Sequence, residues 1–149
     1  MGSVSVDIVI ARPLEDVFAF AADQHNRARL LPDNFTDARV LTGHSSGVGA
    51  RLAFTIHMDS GSYDSITEIV AHEPPHSFRE RTRDADTIYE TEWRFAAAEG
   101  GARVVMESHF PDPARWTERL IQRIAGRRLM RQSLMVELIR LKLALEQPE

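Results

Sequence analysis

The sequence predicts an α+β protein in which a curved, seven-stranded antiparallel sheet wraps around one long carboxy-terminal helix, with two short helices between strands 1 and 2. Seven segments alternate apolar with polar residues, and short turns separate the last six of them. The chain beyond residue 112 has helical composition as far as Glu146. Since loops this short join neighbouring antiparallel strands, we expect the middle of the chain to form a meander.

Length and composition indicate one ordinary globular domain spanning 1–149, with 43% hydrophobic and 27% charged residues. The absence of cysteine excludes thiol catalysis, iron–sulfur clusters, cysteine-ligated zinc and disulfides. A net charge of −4 gives no reason to expect a nucleic-acid partner. Because neither a signal peptide nor a membrane span is visible in the sequence, we expect a cytoplasmic protein.

The amino-terminal elements are predicted from the spacing of apolar residues and from residues typical of helix starts. Residues 4–10 alternate as a half-buried strand, and Pro13 suits the first position of a helix whose dipole Glu15 and Asp16 complement. A second short helix is predicted over 24–31, ended by a turn at 32–34. The six later strands are predicted over 35–42, 48–59, 63–72, 77–83, 87–97 and 102–110.

The last element is a helix with Asp112 as its N-cap and Pro113 at its first position. At 1.5 Å per residue it would reach about 50 Å. Its second half carries an apolar stripe that we expect to face the sheet, formed by Met130, Leu134, Leu138, Leu141 and Leu145.

A strongly curved sheet closed by one helix leaves space between the two, and such a space is a natural apolar ligand site. Strand alternation turns one set of side chains toward it, including residues 50, 52, 54, 56 and 58 of the third strand, and turns Arg79, Arg81 and Arg83 outward beside Glu90 and Glu92. The residues predicted to contact a ligand are Phe54, Ile56, Tyr63, Phe78, Glu80, Tyr89, Trp93, Met106, Met130 and Leu134.

Glu80 is the carboxylate that alternation places in this otherwise apolar interior, which makes it the candidate catalytic residue. A buried carboxylate needs a donor, and it can orient a ligand hydroxyl or act as a general acid or base. The alternative is structural: Glu80 reaches water near a strand end, or pairs with an arginine.

Other chemistries lack their motifs. The six histidines show no H-x-x-x-H or H-E-x-x-H spacing, and Glu107 with His109 would supply two metal ligands without a third. No G-x-S-x-G elbow occurs, and Gly43, Gly47 and Gly49 lack the lysine of a phosphate-binding loop. We therefore predict no metal and no cofactor.

Three stretches resemble the START-like (Bet v 1-like, SRPBCC) superfamily, and in particular its polyketide cyclase/dehydrase and lipid-transport group. They are VDIVIARPLEDVF at 6–18, TEIVAHEPPHSF at 67–78, and EWRF at 92–95 leading to GGARV at 100–104. The resemblance implies a helix-grip fold used as a container by binders, carriers and a few enzymes that differ in pocket lining.

Arginines recur at every fourth residue from Arg115 to Arg131 of the predicted long helix, at 115, 119, 123, 127 and 131, with Arg128 beside them. Such a basic ridge suits anionic lipid headgroups or an acidic ligand. The alternative is a solvated face paired with acidic residues.

Three functions follow. We favour non-catalytic binding or carriage of a small hydrophobic molecule, such as a lipid or polyketide, by a monomer or homodimer. The first alternative is a cyclase/dehydratase-type enzyme using Glu80 and a pocket tyrosine. The second is a module that docks on an anionic membrane or a partner through the arginine ridge.

Overall fold

The computed structural model describes residues 2–59, 61–84, 87–110 and 120–147, with side chains in the last range from residue 127. Seven strands and three helices occur in the predicted order. They are β1 (Gly2–Ile10), α1 (Leu14–Ala21), α2 (Gln24–Leu30), β2 (Phe35–Val40), β3 (Arg51–Met58), β4 (Gly61–Glu73), β5 (Ser77–Asp84), β6 (Thr87–Ala98), β7 (Gly101–Phe110) and α3 (Leu120–Glu146).

All seven strands form one antiparallel sheet in the order β1-β7-β6-β5-β4-β3-β2. Strands β2 to β7 are the predicted meander, and β1 adds to the free edge of β7 with Gly2 opposite Phe110 and Ile10 opposite Ala102. The fold class predicted from the sequence is therefore confirmed.

Helix α3 is attached to the β1 end of the sheet by polar contacts near its carboxyl terminus. The Ala11 amide donates to Glu146 Oε2 at 2.8 Å, and Arg12 Nη1 donates to the Leu145 carbonyl at 2.9 Å. Lys142 Nζ donates to the Val9 carbonyl at 2.8 Å. Four members of the predicted stripe, Leu134, Leu138, Leu141 and Leu145, are buried, so the helix is held by apolar packing as well.

Strand alternation predicts most of the burial. Phe78, Glu80 and Thr82 are buried, whereas the three arginines between and beyond them are exposed. Arg79 and Arg81 both pair with Glu90, at 3.2 and 2.9 Å, as part of the predicted outer ladder of charges, whereas Glu92 pairs with Arg94 of its own strand.

Two positions of β3 depart from the predicted alternation. Met58, predicted inside, is exposed because β3 ends at this residue. Ala53, predicted outside, is buried because it is small and its cross-strand neighbours Arg39 and Ile66 flank it.

Element boundaries differ from prediction by one to three residues. Pro13 is the N-cap of α1, one position before the predicted role, and α2 ends at Leu30. Strand β3 begins only at Arg51 because a turn precedes it, in which Gly47 and Gly49 take φ of 86° and 93°, a region that favours glycine. The predicted cap at Asp112 and Pro113 lies outside the described residues.

Candidate functional site

A pocket that is partly open to solvent lies between the inner face of the sheet and α3. Six of the residues predicted to contact a ligand line it: Phe54, Glu80, Tyr89, Met106, Met130 and Leu134. They come from β3, β5, β6, β7 and α3, so the pocket occupies the predicted position between sheet and helix.

Four predicted residues lie elsewhere. Phe78 and Trp93 stack with ring centroids 5.3 Å apart inside the core, where Phe18 of α1 packs edge-on against Phe78. Ile56 is buried in a smaller cluster with Leu31, Leu52 and Phe54, and Tyr63 is half-buried opposite Ile56. Alternation gives the face of the sheet correctly, but it does not show which part of that face α1 covers.

A buried ion cluster forms one wall of the pocket. Arg27 of α2 lies between Glu80 of β5 and Glu137 of α3, and all three side chains are less than a tenth exposed. Arg27 Nη1 donates to both Glu80 oxygens, at 2.7 and 2.6 Å, while Arg27 Nε and Nη2 donate to Glu137 Oε1 at 3.3 and 2.9 Å. The Arg27 guanidinium therefore links α2 and α3 to the sheet.

The local sequence explains how Arg27 comes to point inward. Asp23 caps α2 by accepting from the His25 amide at 2.9 Å, which fixes where the helix starts. Gln24, Arg27 and Leu30 then fall at three-residue spacing on the buried face of the helix. Gln24 Nε2 donates to the Ala50 carbonyl at 3.0 Å and secures this face against the chain before β3.

Trp93 contacts two members of the ion cluster. Its indole Nε1 donates to Glu80 Oε1 at 3.0 Å, and the Arg27 guanidinium carbon lies 4.8 Å from the centre of its ring. Glu80 is thus buried, and it accepts hydrogen bonds from both Arg27 and Trp93. Of the two interpretations of Glu80, pairing with an arginine is what the geometry displays.

Glu137 is held differently from Glu80. Both of its hydrogen bonds from Arg27 end on Oε1. Burial, together with repulsion from Glu80, raises the pKa of Glu137 despite the opposing attraction of Arg27. Burial therefore shifts the Glu137 carboxyl toward its protonated form.

The two other titratable groups of the pocket that the structure describes as shifted, Arg27 and Tyr89, both have raised pKa values. Burial would lower the pKa of Arg27, but the charges of Glu80 and Glu137 outweigh burial and raise it. Burial and the nearby negative charge of Asp84 raise the pKa of Tyr89. At neutral pH the pocket thus presents a phenol and a guanidinium, both protonated.

Hydroxyl groups continue the polar wall along the sheet. Thr82 donates to Thr67 at 3.0 Å, and the Thr91 and Ser108 hydroxyls lie 2.6 Å apart. The three threonines line the pocket. They lie beside the ion cluster because Thr91 pairs with Glu80 across β5 and β6.

Arg27 and Glu137 were not among the predicted site residues. A signal for Glu137 was available: it falls between Leu134 and Leu141, at helical spacing within the apolar stripe, where a carboxylate is out of place. Arg27 gives a weaker signal because α2 is short and carries a second arginine at Arg29, which is exposed.

The other candidate features are at the surface. Glu107 lies 3.5 Å from His109 and also accepts from Arg94, and no group of three or more potential metal ligands occurs in the described parts of the chain. Arg127, Arg128 and Arg131 are exposed, while the side chains of Arg115, Arg119 and Arg123 lie outside the described residues. No helix in the described ranges is long and apolar enough to cross a membrane.

Comparison with known proteins identifies the class that this fold and pocket define. The sequence model of the family described as polyketide cyclase / dehydrase and lipid transport matches residues 1–136. The chain belongs to this family, within the START-like superfamily, as its motifs indicated. A search of curated proteins finds no match.

Solved structures with the same fold share little sequence. Protein CV1439 from Chromobacterium violaceum superposes with a TM-score of 0.71 at 20% identity, covering 99% of this chain and 98% of its own. TTHA0849 from Thermus thermophilus gives 0.75 at 20% identity, covering 98% and 100%. The KanY protein gives 0.78 at 19% identity, covering 99% and 100%. These likenesses support the fold.

Proposed function

We propose that the protein binds a small, mainly hydrophobic molecule in the pocket between the sheet and α3, and that it acts as a binder or carrier. The observation that supports this is the composition of the pocket walls: an apolar part and a buried polar part face the same space. Such a pocket suits a molecule with an apolar body and a polar group at one side.

The apolar part has three sources. Leu31 follows α2, Phe35 and Phe54 stack with centroids 5.3 Å apart across β2 and β3, and Met130 and Leu134 project from α3. Burying ligand surface against them yields roughly 25 cal/mol per Å² of apolar area. This part of the pocket would supply most of the affinity.

The polar groups favour binding over the cyclase alternative. Enolisation or dehydration needs a free base beside an acid. Arg27 and Trp93 both donate hydrogen bonds to Glu80, Tyr89 keeps its proton because its pKa is raised, and burial shifts the Glu137 carboxyl toward its protonated form. The pocket therefore offers donors suited to orienting a ligand, and catalysis through Glu80 stays an untested prediction.

Native mass spectrometry of protein purified gently from cells tests the proposal. We expect an adduct of small-molecule mass that is lost on denaturation and extracts into organic solvent. Protein that carries no adduct, and that also takes up none from an extract of cellular lipids, would contradict the proposal.

Two neighbouring residues of α3 provide matched variants. Met130 lines the pocket, whereas Leu129 is 47% exposed. Met130→Trp should fill the pocket and remove the adduct, and Leu129→Trp should keep it. Equal adduct in both variants would place the bound molecule outside this pocket.

A further inference from the structure

We propose that the pocket selects neutral ligands whose polar end is a hydrogen-bond acceptor, such as a ketone or ester carbonyl, and that the Glu137 carboxyl group donates to that acceptor. This inference rests on the proposed function and names the ligand class. It also predicts that ligands with the same body but an anionic or cationic end bind poorly.

The argument begins with the number of charges around Arg27. Two carboxyl groups share one guanidinium, and all three side chains are buried. If both carboxyl groups were ionised, the cluster would carry one uncompensated negative charge in a medium that solvates it poorly. One proton held by the pair makes the cluster neutral.

The geometry places that proton on Glu137. Glu80 accepts three hydrogen bonds, two from Arg27 Nη1 and one from Trp93 Nε1, and these occupy both of its carboxyl oxygens with donors. Both Arg27 contacts of Glu137 end on Oε1. A proton on Oε2 leaves those contacts intact and gives the pocket a donor.

The other ionisable groups around Glu137 agree with this assignment. Arg27 from α2, Glu80 from β5 and Tyr89 from β6 line the same pocket, and Asp84 at the end of β5 lies near Tyr89. Burial is the largest effect on Glu137 and opposes its ionisation; repulsion from Glu80 adds to this effect, attraction to Arg27 acts against it, and on balance the pKa of Glu137 is raised.

Ligand selection follows from the neutral cluster. A carboxylate ligand would bring a negative charge, and Arg27, the only cation among the described lining residues, is already shared by two carboxyl groups. An ammonium ligand would require Glu137 to lose its proton. A carbonyl oxygen needs only the donor that is present.

Three naphthalene derivatives that share the ring system and differ in the polar group test this ligand selection. They are 2-acetylnaphthalene, 2-naphthoate and 1-(2-naphthyl)ethylammonium, each titrated by calorimetry at neutral pH. We expect the ketone to bind about tenfold or more tightly than either ion. Glu137→Leu should lose this advantage, and Glu137→Gln, whose amide donates without titrating, should restore it. Glu99→Gln, in the exposed turn between β6 and β7, is the control and should behave as wild type.

The outcomes separate this inference from the proposed function. Tightest binding of the carboxylate or the ammonium, or equal binding of all three, would overturn the inference and leave the proposed function in place. Unchanged ketone affinity in Glu137→Leu would also overturn it. If none of the three binds and the purified protein carries no adduct, both proposals fail together.

Discussion

Arg27 and Glu137 stand 110 positions apart in the chain, yet Arg27 Nη2 lies 2.9 Å from Glu137 Oε1 in the buried wall of the pocket. Because Glu80 holds the same guanidinium, this contact joins α2, β5 and α3 at one point. The same ion cluster thus forms part of the pocket wall and connects two helices to the sheet.

Arg27→Met should destabilise the protein by about 3–5 kcal/mol, because it leaves two buried carboxyl groups without their cation. Arg29→Met changes an exposed residue of the same helix and should cost less than about 0.5 kcal/mol. Urea unfolding of the two variants provides the comparison. Equal midpoints would show that the cluster does not contribute to stability.

The free energy of unfolding should depend on pH through Glu137. Its pKa in the folded state is raised above the ordinary 4.5, so the folded state binds more protons than the unfolded state between those two values. This contribution stabilises the fold at low pH and is lost as pH rises through the folded pKa. Glu137→Gln, which does not titrate, should therefore gain stability relative to wild type as pH increases.

Thermal unfolding of wild type and Glu137→Gln across a pH series measures this difference. Glu99→Gln, at an exposed turn, should follow wild type at each pH. A Glu137→Gln difference that stays constant, or shrinks as pH rises, would show that Glu137 is ionised in the fold.

Gly101→Ala should destabilise the protein by more than about 3 kcal/mol. A Cβ at this position would lie 1.9 Å from the Ile10 carbonyl oxygen, so the pairing of β1 with β7 would have to move. Gly100→Ala meets no atom within 4 Å and should cost only about 1 kcal/mol, for its φ of 84°. Similar losses in the two variants would contradict the close approach of β1.

The fold could be predicted because each element carries a local signal. Period-2 alternation places Glu80 inside and Arg79 and Arg81 outside, and the register with β6 then sets the ladder to Glu90. The observed boundaries of β3 and α1 differ from the predicted ones because turn geometry and capping, rather than periodicity, decide where an element begins and ends.

The site could be predicted only in part. Alternation found Glu80 and Met106 on the pocket wall, but the partners of Glu80 come from helices whose rotation the sequence alone does not fix. Trp93 faces inward as predicted and still lies beneath Arg27 instead of in the pocket lining. Contacts between distant segments decide these positions; the apolar stripe of α3 marks Glu137 as inward-facing, but it does not show that Arg27 and Glu80 lie beside it.

Methionine methyl groups report on the pocket most directly. Met106 of β7 and Met130 of α3 line opposite walls, while Met58 at the end of β3 is exposed and Met135 packs against the core without lining the pocket. Protein labelled with 13C at the methionine methyls can be titrated with 2-acetylnaphthalene and followed by NMR. We predict saturable shifts of the Met106 and Met130 signals with little change at Met58 and Met135, whereas saturable shifts at Met58 with none at Met106 and Met130 would contradict a ligand site between sheet and helix.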